Sequence, residues 1–167
     1  HSSREAPRAS KGAMAEKRTA FEIYKGLGKL EKDIVGVKFQ GEVWDLHTPL
    51  AVENDTDMTP VRTTEAEGIR IIRHSSAHVM ADAVQKLFPG TKVTIGPAID
   101  DGFYYDFEKK DGGFTDDDLV KIEKAMMEVI KADTPFRRTE IALDDCIKKF
   151  EDMGETFKVE LIKGFPD

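Results

Sequence analysis

Two histidines, His74 and His78, stand four residues apart in the stretch EGIRIIRHSSAHVMADAVQKLFPG, from Glu67 to Gly90. At about 100° per residue, that spacing puts both imidazoles on one face of a helix. A pair so placed can ligate one metal ion, move protons on one bound substrate, or sit side by side on a solvated surface. Between and beside the pair lie Ser75, Ser76, Ala77 and Ala81, where a purely solvated face carries long charged side chains. These small residues leave room for a ligand.

The stretch itself reads as one helix. Ile72, Val79, Ala83 and Leu87 recur at spacings of three, four and seven, and Pro89 and Gly90 stop it. These four are the expected core stripe, which sets the histidines on the opposite face, open to a cleft. Lys92 to Ile95 follows as a strand, and Asp101-Gly102 is a hairpin turn into FYYDF. By the period of two, Phe103, Tyr105 and Phe107 share one face, while Tyr104 and Asp106 share the other.

From Ile71 to Phe107 the sequence resembles the start of the editing domain of threonyl-tRNA synthetases, the class II enzymes that charge tRNA(Thr). Three features carry the resemblance: the His-Ser-Ser-Ala-His helix, the Ile95-Gly96-Pro97 step, and the hairpin from Asp101 to Asp106. Gly154-Glu155-Thr156-Phe157-Lys158 extends it toward the end, and it reaches back to about Thr19.

With 167 residues and 40% hydrophobic content, the chain can build one ordinary domain or two small ones. It has no apolar run long enough to span a bilayer, so no membrane partner is expected, and the cytoplasm is the expected location. The single cysteine, Cys146, has no partner for a disulfide or a thiolate metal site and reads as a small core residue. Net charge is −7, which speaks against a stand-alone nucleic-acid module. RNA contacts would need local patches, for which Arg70, Arg73, Lys86 and Lys92, or Arg137 and Arg138, are the candidates.

In chain order, residues 1–18 read as an expression tail or disordered segment, with native sequence expected from about Met14. Thr19 is an expected N-cap for a helix burying Phe21, Ile23 or Tyr24, and Leu27. A hairpin follows, with Val35, Val37 and Phe39 on one arm, a Gln40-Gly41 turn, and Val43, Trp44 and Leu46 on the other. Trp44 reads as packed and His47 as a surface residue. Asn54 to Thr64 is a polar connector with one short strand around Val61. Thr115 and Asp118 form a capping box for a helix to about Lys131, with Leu119, Ile122, Met126 and Val129 or Ile130 as its stripe. The methionines read as core. Phe136 to Ile141 fits a strand, Asp144 to Glu151 a helix burying Ile147 and Phe150, and Val159, Leu161 and Ile162 a last strand or helix.

The expected class is α+β. The resemblance divides it into a partial TGS-like unit over 19–63, a small ubiquitin-like β-grasp, and an editing domain of the threonyl/alanyl type over 64–167. The family's first TGS hairpin and a later Cys-x-x-x-His motif have no counterpart here, so a sheet short of two strands and a C-terminally truncated, incomplete editing site are expected.

The resemblance also implies a chemistry. A pocket that must accept threonine cannot exclude serine by size, since one methyl discriminates by only about 1 to 3 kcal/mol; a second site that hydrolyses Ser-tRNA(Thr) is the remedy. It implies His74 and Lys158 as the catalytic pair acting on water, with His78 and Tyr105 binding the substrate. The partner is the acceptor end of tRNA(Thr). ATP, magnesium, zinc and the dimer interface of the full enzymes belong to a catalytic domain with no counterpart in this sequence. Alanyl-type editing proteins add a Cys-x-x-x-His to the histidine helix as metal ligands, but only His1, His47 and Cys146 remain here, at unsuitable spacing. No metal is therefore expected, zinc on His74 and His78 being the alternative. A rival reading keeps the fold as a catalytically inert RNA- or protein-binding regulatory module.

Overall fold

A computed structural model describes residues 17–52, 54–137 and 139–164. The expected tail up to residue 16, with His1 and Met14, and Arg138 lie outside the described residues. The chain is mixed helix and strand, and it divides into one unit ending at Val61 and another beginning at Arg62.

The first unit starts with β1 (Arg18–Thr19) and α1 (Ala20–Gly26). Thr19 caps the helix reciprocally: its hydroxyl accepts from the Glu22 N–H and the Glu22 carboxylate accepts from the Thr19 N–H, both at 3.1 Å. This helix buries Ile23 and Tyr24, but Leu27 is exposed, because the helix ends one residue before it. Strands β2 (Ile34–Phe39) and β3 (Glu42–Trp44) pair antiparallel in the register Val37 to Trp44 and Phe39 to Glu42. Gln40 and Gly41 join them, with φ of 52° and 85°, the turn that matches the twist of a two-residue hairpin. Strand β4 (Pro49–Leu50) pairs with β1. The polar connector holds a 3-10 turn at Asp55–Asp57 and then β5 (Thr59–Arg62), which takes the free side of β2. Ile23, Tyr24, Ile34, Val37, Leu50 and Met58 form the core of this unit, with Trp44 packed at its margin.

The second unit is built on α2 (Ala66–Leu87). Strand β6 (Lys92–Val93) pairs with β9 (Phe107–Glu108), and β7 (Ala98–Ile99) pairs with β8 (Gly102–Phe103). Since Ile99 is paired with Gly102, the turn falls on Asp100-Asp101, one residue earlier than expected; Gly102 is already in the strand. Helix α3 (Asp116–Lys131) carries the Thr115/Asp118 capping box and packs on α2, and α4 (Leu143–Asp152) forms a pair with α5 (Thr156–Lys163).

Several expected core positions are not buried. Ile72 is 41% exposed and Leu87 is also exposed; α2 instead buries Ala77, Ala81 and Val84 on one side and Ala83 on the other. It packs against α3 and against β7 and β8, and small residues let neighbours approach closely, so side-chain bulk is a poor guide to its inner faces. On α3, Ile122 is buried, whereas Leu119 and Ile130 are exposed. Among the described methionines only Met58 is buried; Met127 and Met153 are exposed. Cys146 is partly exposed on α4, which buries no residue fully. Phe136 to Ile141 forms no strand among the described residues; Phe136 is exposed, and an unpaired strand there would leave its backbone groups without a ladder.

Candidate functional site

Helix α2 brings His74 and His78 to one side of a cleft of about 560 Å³. Their Nε2 atoms lie 3.1 Å apart, and the rings meet edge to face with centroids 4.7 Å apart. At this separation one nitrogen carries the hydrogen and the other accepts it. Both residues are exposed to the cleft rather than enclosed among large apolar side chains. The cause differs from the expected one: His74 is seven residues before Ala81, about 20° from it around the helix. The imidazoles therefore border a buried face made of small residues instead of opposing a bulky one.

The opposite wall is the segment that leads from β6 into β7, Thr94 to Ala98, with Tyr105 beside it. The pairing of β6 and β9 runs on past their ends: the Thr94 N–H donates to the Asp106 carbonyl at 3.2 Å, and the Asp106 N–H to the Ile95 carbonyl at 3.4 Å. This register sets the Tyr105 ring on Gly96. A Cβ at Gly96 would lie 2.0 Å from Tyr105 Cδ2, so only glycine lets the ring lie there. Tyr105 also stacks on Phe107, with centroids 5.0 Å apart and an angle of 22°. The period of two holds: Phe103, Tyr105 and Phe107 are half-buried, while Tyr104 and Asp106 are exposed. Tyr105 lines the cleft and Tyr104 is not among its lining residues.

The third wall comes from α4 and α5, through Phe150, Lys158 and Leu161. Lys158 Nζ lies 5.4 Å over the Phe150 ring and 3.8 Å from Glu155 Oε2. The structure thus gathers all four sequence-predicted residues, His74, His78, Tyr105 and Lys158, around one cavity.

Two electrostatic consequences follow. Burial, then the charges of His74 and Lys158, hold His78 below the usual histidine range. Burial, then the Glu155 carboxylate, push the Tyr105 phenol up, so it stays a protonated donor. Of the expected basic contacts, Arg70 lines the cleft, whereas Arg73 donates to the Ile99 and Asp100 carbonyls, Lys86 pairs with Asp82 and Lys92 pairs with Glu108. Glu155 and Phe150, read from the sequence only as part of the family-like stretch and as a buried helix residue, and Gln85 were not expected at the site. For Glu155 the signals were its place in the Gly154-to-Lys158 stretch and its spacing of three residues from Lys158.

No protein-family model matches the chain. Curated proteins do. It is 50% identical over 140 residues to a threonine-tRNA ligase of Oleidesulfovibrio alaskensis, which covers 84% of this chain and 21% of the relative. It is 44% identical over 161 residues to one of Marinobacter nauticus, and 41% identical over 162 residues to one of Maricaulis maris; each match covers 96% of this chain and 25% of the relative. The chain belongs to the threonyl-tRNA synthetase family. The resemblance to the N-terminal region of that family, first seen in the histidine helix and the hairpin, thus holds along nearly the whole chain. The chain spans between a fifth and a quarter of the length of the relatives it matches.

The cleft has donors for an anion or a carbonyl, namely Lys158 and the Tyr105 hydroxyl, and two imidazoles able to exchange a proton. Structural and catalytic zinc use three or four protein ligands, and among the described residues no group of three or more histidine, cysteine, aspartate or glutamate side chains is arranged to hold a metal. No helix among the described residues is long and apolar enough to cross a membrane.

Proposed function

We propose that this chain is the proofreading region of a threonyl-tRNA synthetase, in which a TGS-like unit precedes an editing domain that hydrolyses Ser-tRNA(Thr). The observation that carries it is the pair of imidazole nitrogens 3.1 Å apart in a cleft shared with Lys158 and Tyr105. Hydrolysis of an aminoacyl ester needs a held water, a base for its proton and a positive or hydrogen-bonding group for the developing oxyanion. His74 accepts the proton of the attacking water. The Lys158 ammonium stabilises the oxygen that becomes negative as the tetrahedral intermediate forms. When that intermediate collapses, the bond from the carbonyl carbon to the ribose oxygen breaks, and the proton held at His74 returns to the leaving oxygen.

His78, kept neutral near pH 7 by its surroundings, holds the terminal ribose or the amino acid. The Tyr105 hydroxyl donates within the pocket. The tRNA(Thr) acceptor end is the partner, met beside Arg70. ATP-dependent charging, its magnesium and zinc, and the homodimer belong to the longer protein, in the cytoplasm.

The test is single-turnover deacylation of Ser-tRNA(Thr) and Thr-tRNA(Thr) at saturating enzyme. Faster loss of serine than of threonine, lowered about 10² to 10⁴ fold by His74→Ala, is the expected result. Binding of tRNA with no hydrolysis above background, indifferent to His74→Ala, would instead favour an inert RNA-binding module.

A further inference from the structure

We infer that Glu155 is the positioning residue for Lys158: a buried carboxylate, itself anchored by Gln85, that holds the ammonium at the cleft. Glu155 is only 7% exposed. Its Oε1 accepts from Gln85 Nε2 at 2.6 Å, and that amide group also reaches the Thr91 carbonyl at 3.4 Å. Gln85 thereby ties the carboxylate to α2 and to the entry of β6. The other oxygen, Oε2, is buried, has no hydrogen-bond partner among the described residues, and faces Lys158 Nζ at 3.8 Å.

Three roles compete for such a residue. Glu155 stands at the N-cap of α5, yet its side chain makes no capping hydrogen bond, so it does not serve the helix end. An exposed pair three residues apart on a helix contributes only a few tenths of a kcal/mol. Here the carboxylate is withdrawn from water, and a buried carboxylate oxygen is costly unless a cation compensates it. Lysine is a compact charge on a flexible stem, and Phe150 supplies only a ring face 5.4 Å away. Among the described residues Glu155 is the one ionic partner of the ammonium in the cleft.

The functional weight of Lys158 rests on the hydrolytic reading above, but its placement can be tested without hydrolysis. His78 senses Lys158, whose charge helps to hold its imidazole below the usual range. The other charged or titratable groups lining the two cavities that His78 borders are Arg70, His74, Tyr105, Asp82, Lys86 and Asp133, and they are common to all the variants. The ring resonances of His78 would be titrated by NMR in the 167-residue chain, in Glu155→Gln, in Lys158→Met and in the double variant.

Release of the ammonium moves the His78 midpoint to higher pH in Glu155→Gln, as in Lys158→Met, and the double variant moves it no further than Lys158→Met alone. Removal of a nearby negative charge by itself would move the midpoint the other way. A downward shift or none in Glu155→Gln, with the amide spectrum intact, overturns the inference. Should that variant not fold, Gln85→Leu keeps the carboxylate but frees it: an upward shift supports the inference and an unchanged midpoint overturns it. Deacylation is not read in any arm, so failure of the hydrolytic reading is seen separately.

Discussion

The Nε2 atoms of His74 and His78 face each other at 3.1 Å across one turn of α2, with their ring planes at 81°. Only one can carry the hydrogen between them, so protonation of both places two N–H groups nose to nose. Together with burial and the Lys158 charge, this disfavours the imidazolium at His78. The NMR midpoint of His78 is expected below 6.5, and His74→Ala is expected to raise it.

The same contact makes folding stability depend on pH. Because the folded chain holds His78 less protonated than the unfolded chain, the unfolded state binds more protons, and stability rises with pH in that window. The contribution is present in full above about 6.5 and is lost as pH falls through the folded midpoint. Denaturant midpoints between pH 5 and 7 should therefore fall on acidification, and His78→Gln should flatten that slope. A slope unchanged in the variant would assign the dependence to other groups.

Tyr105 and Tyr104 are neighbours on opposite faces of one extended segment, and only Tyr105 lines the cleft. Tyr105→Phe is expected to lower deacylation of Ser-tRNA(Thr) by about fivefold to tenfold, the loss of roughly one hydrogen bond of about 1 kcal/mol. Tyr104→Phe should leave it within about twofold. Single-turnover rates for the two variants check this, and a larger loss for Tyr104→Phe would reverse the assignment.

Gly96 leaves no space for a methyl group, since Tyr105 ring atoms lie 2.0 to 2.7 Å from where a Cβ would stand. Gly96→Ala must displace the ring. Overpacking of this kind costs about 1 to 3 kcal/mol, so the denaturant midpoint should fall. Displacement also breaks the stack on Phe107. Pairing Gly96→Ala with Tyr105→Ala separates the two effects, because the cost of the added methyl should nearly vanish once the ring is gone.

The helices and the histidine pair were legible because their signals are local, whereas Tyr105 and Lys158 were expected at the site only through the family resemblance. The Thr19 and Thr115 caps, the spacing of His74 and His78, and the alternation through Phe103, Tyr105 and Phe107 each lie within a few residues. What stayed hidden depended on the approach of distant segments. The inner faces of α2 are mostly alanines, which carry little periodic weight, so Ile72 and Leu87 drew the core to the wrong positions. The turn at Asp100-Asp101 was displaced by one residue because Gly102, a turn former, serves here as a strand partner of Ile99. Glu155 entered the sequence reading only as one letter of the Gly154-to-Lys158 stretch. Its burial is set by Gln85, 70 positions earlier, and no local pattern announces a contact of that range.

The last prediction concerns how well the site works in this chain. Both histidines are exposed to the cleft, Ile95 and Leu161 at its rim are exposed, and the Lys158 side chain is 29% exposed. Acid–base assistance of about 10² to 10⁴ fold requires groups held within hydrogen-bond reach of water and substrate. Oxyanion stabilisation is likewise strongest where bulk water is excluded. An open cleft weakens both. The relatives are four to five times longer than the matched region, and more chain can cover such a cleft and add contacts to the tRNA phosphates, which a net charge of −7 here does little to supply. Deacylation of Ser-tRNA(Thr) by the 167-residue chain should therefore be at least about 10² fold slower than by a protein of the relatives' full length. Single-turnover rates at saturating enzyme, with His74→Ala in each, compare the two. Equal rates, both abolished by His74→Ala, would mean that the groups gathered in this cleft already form a complete site.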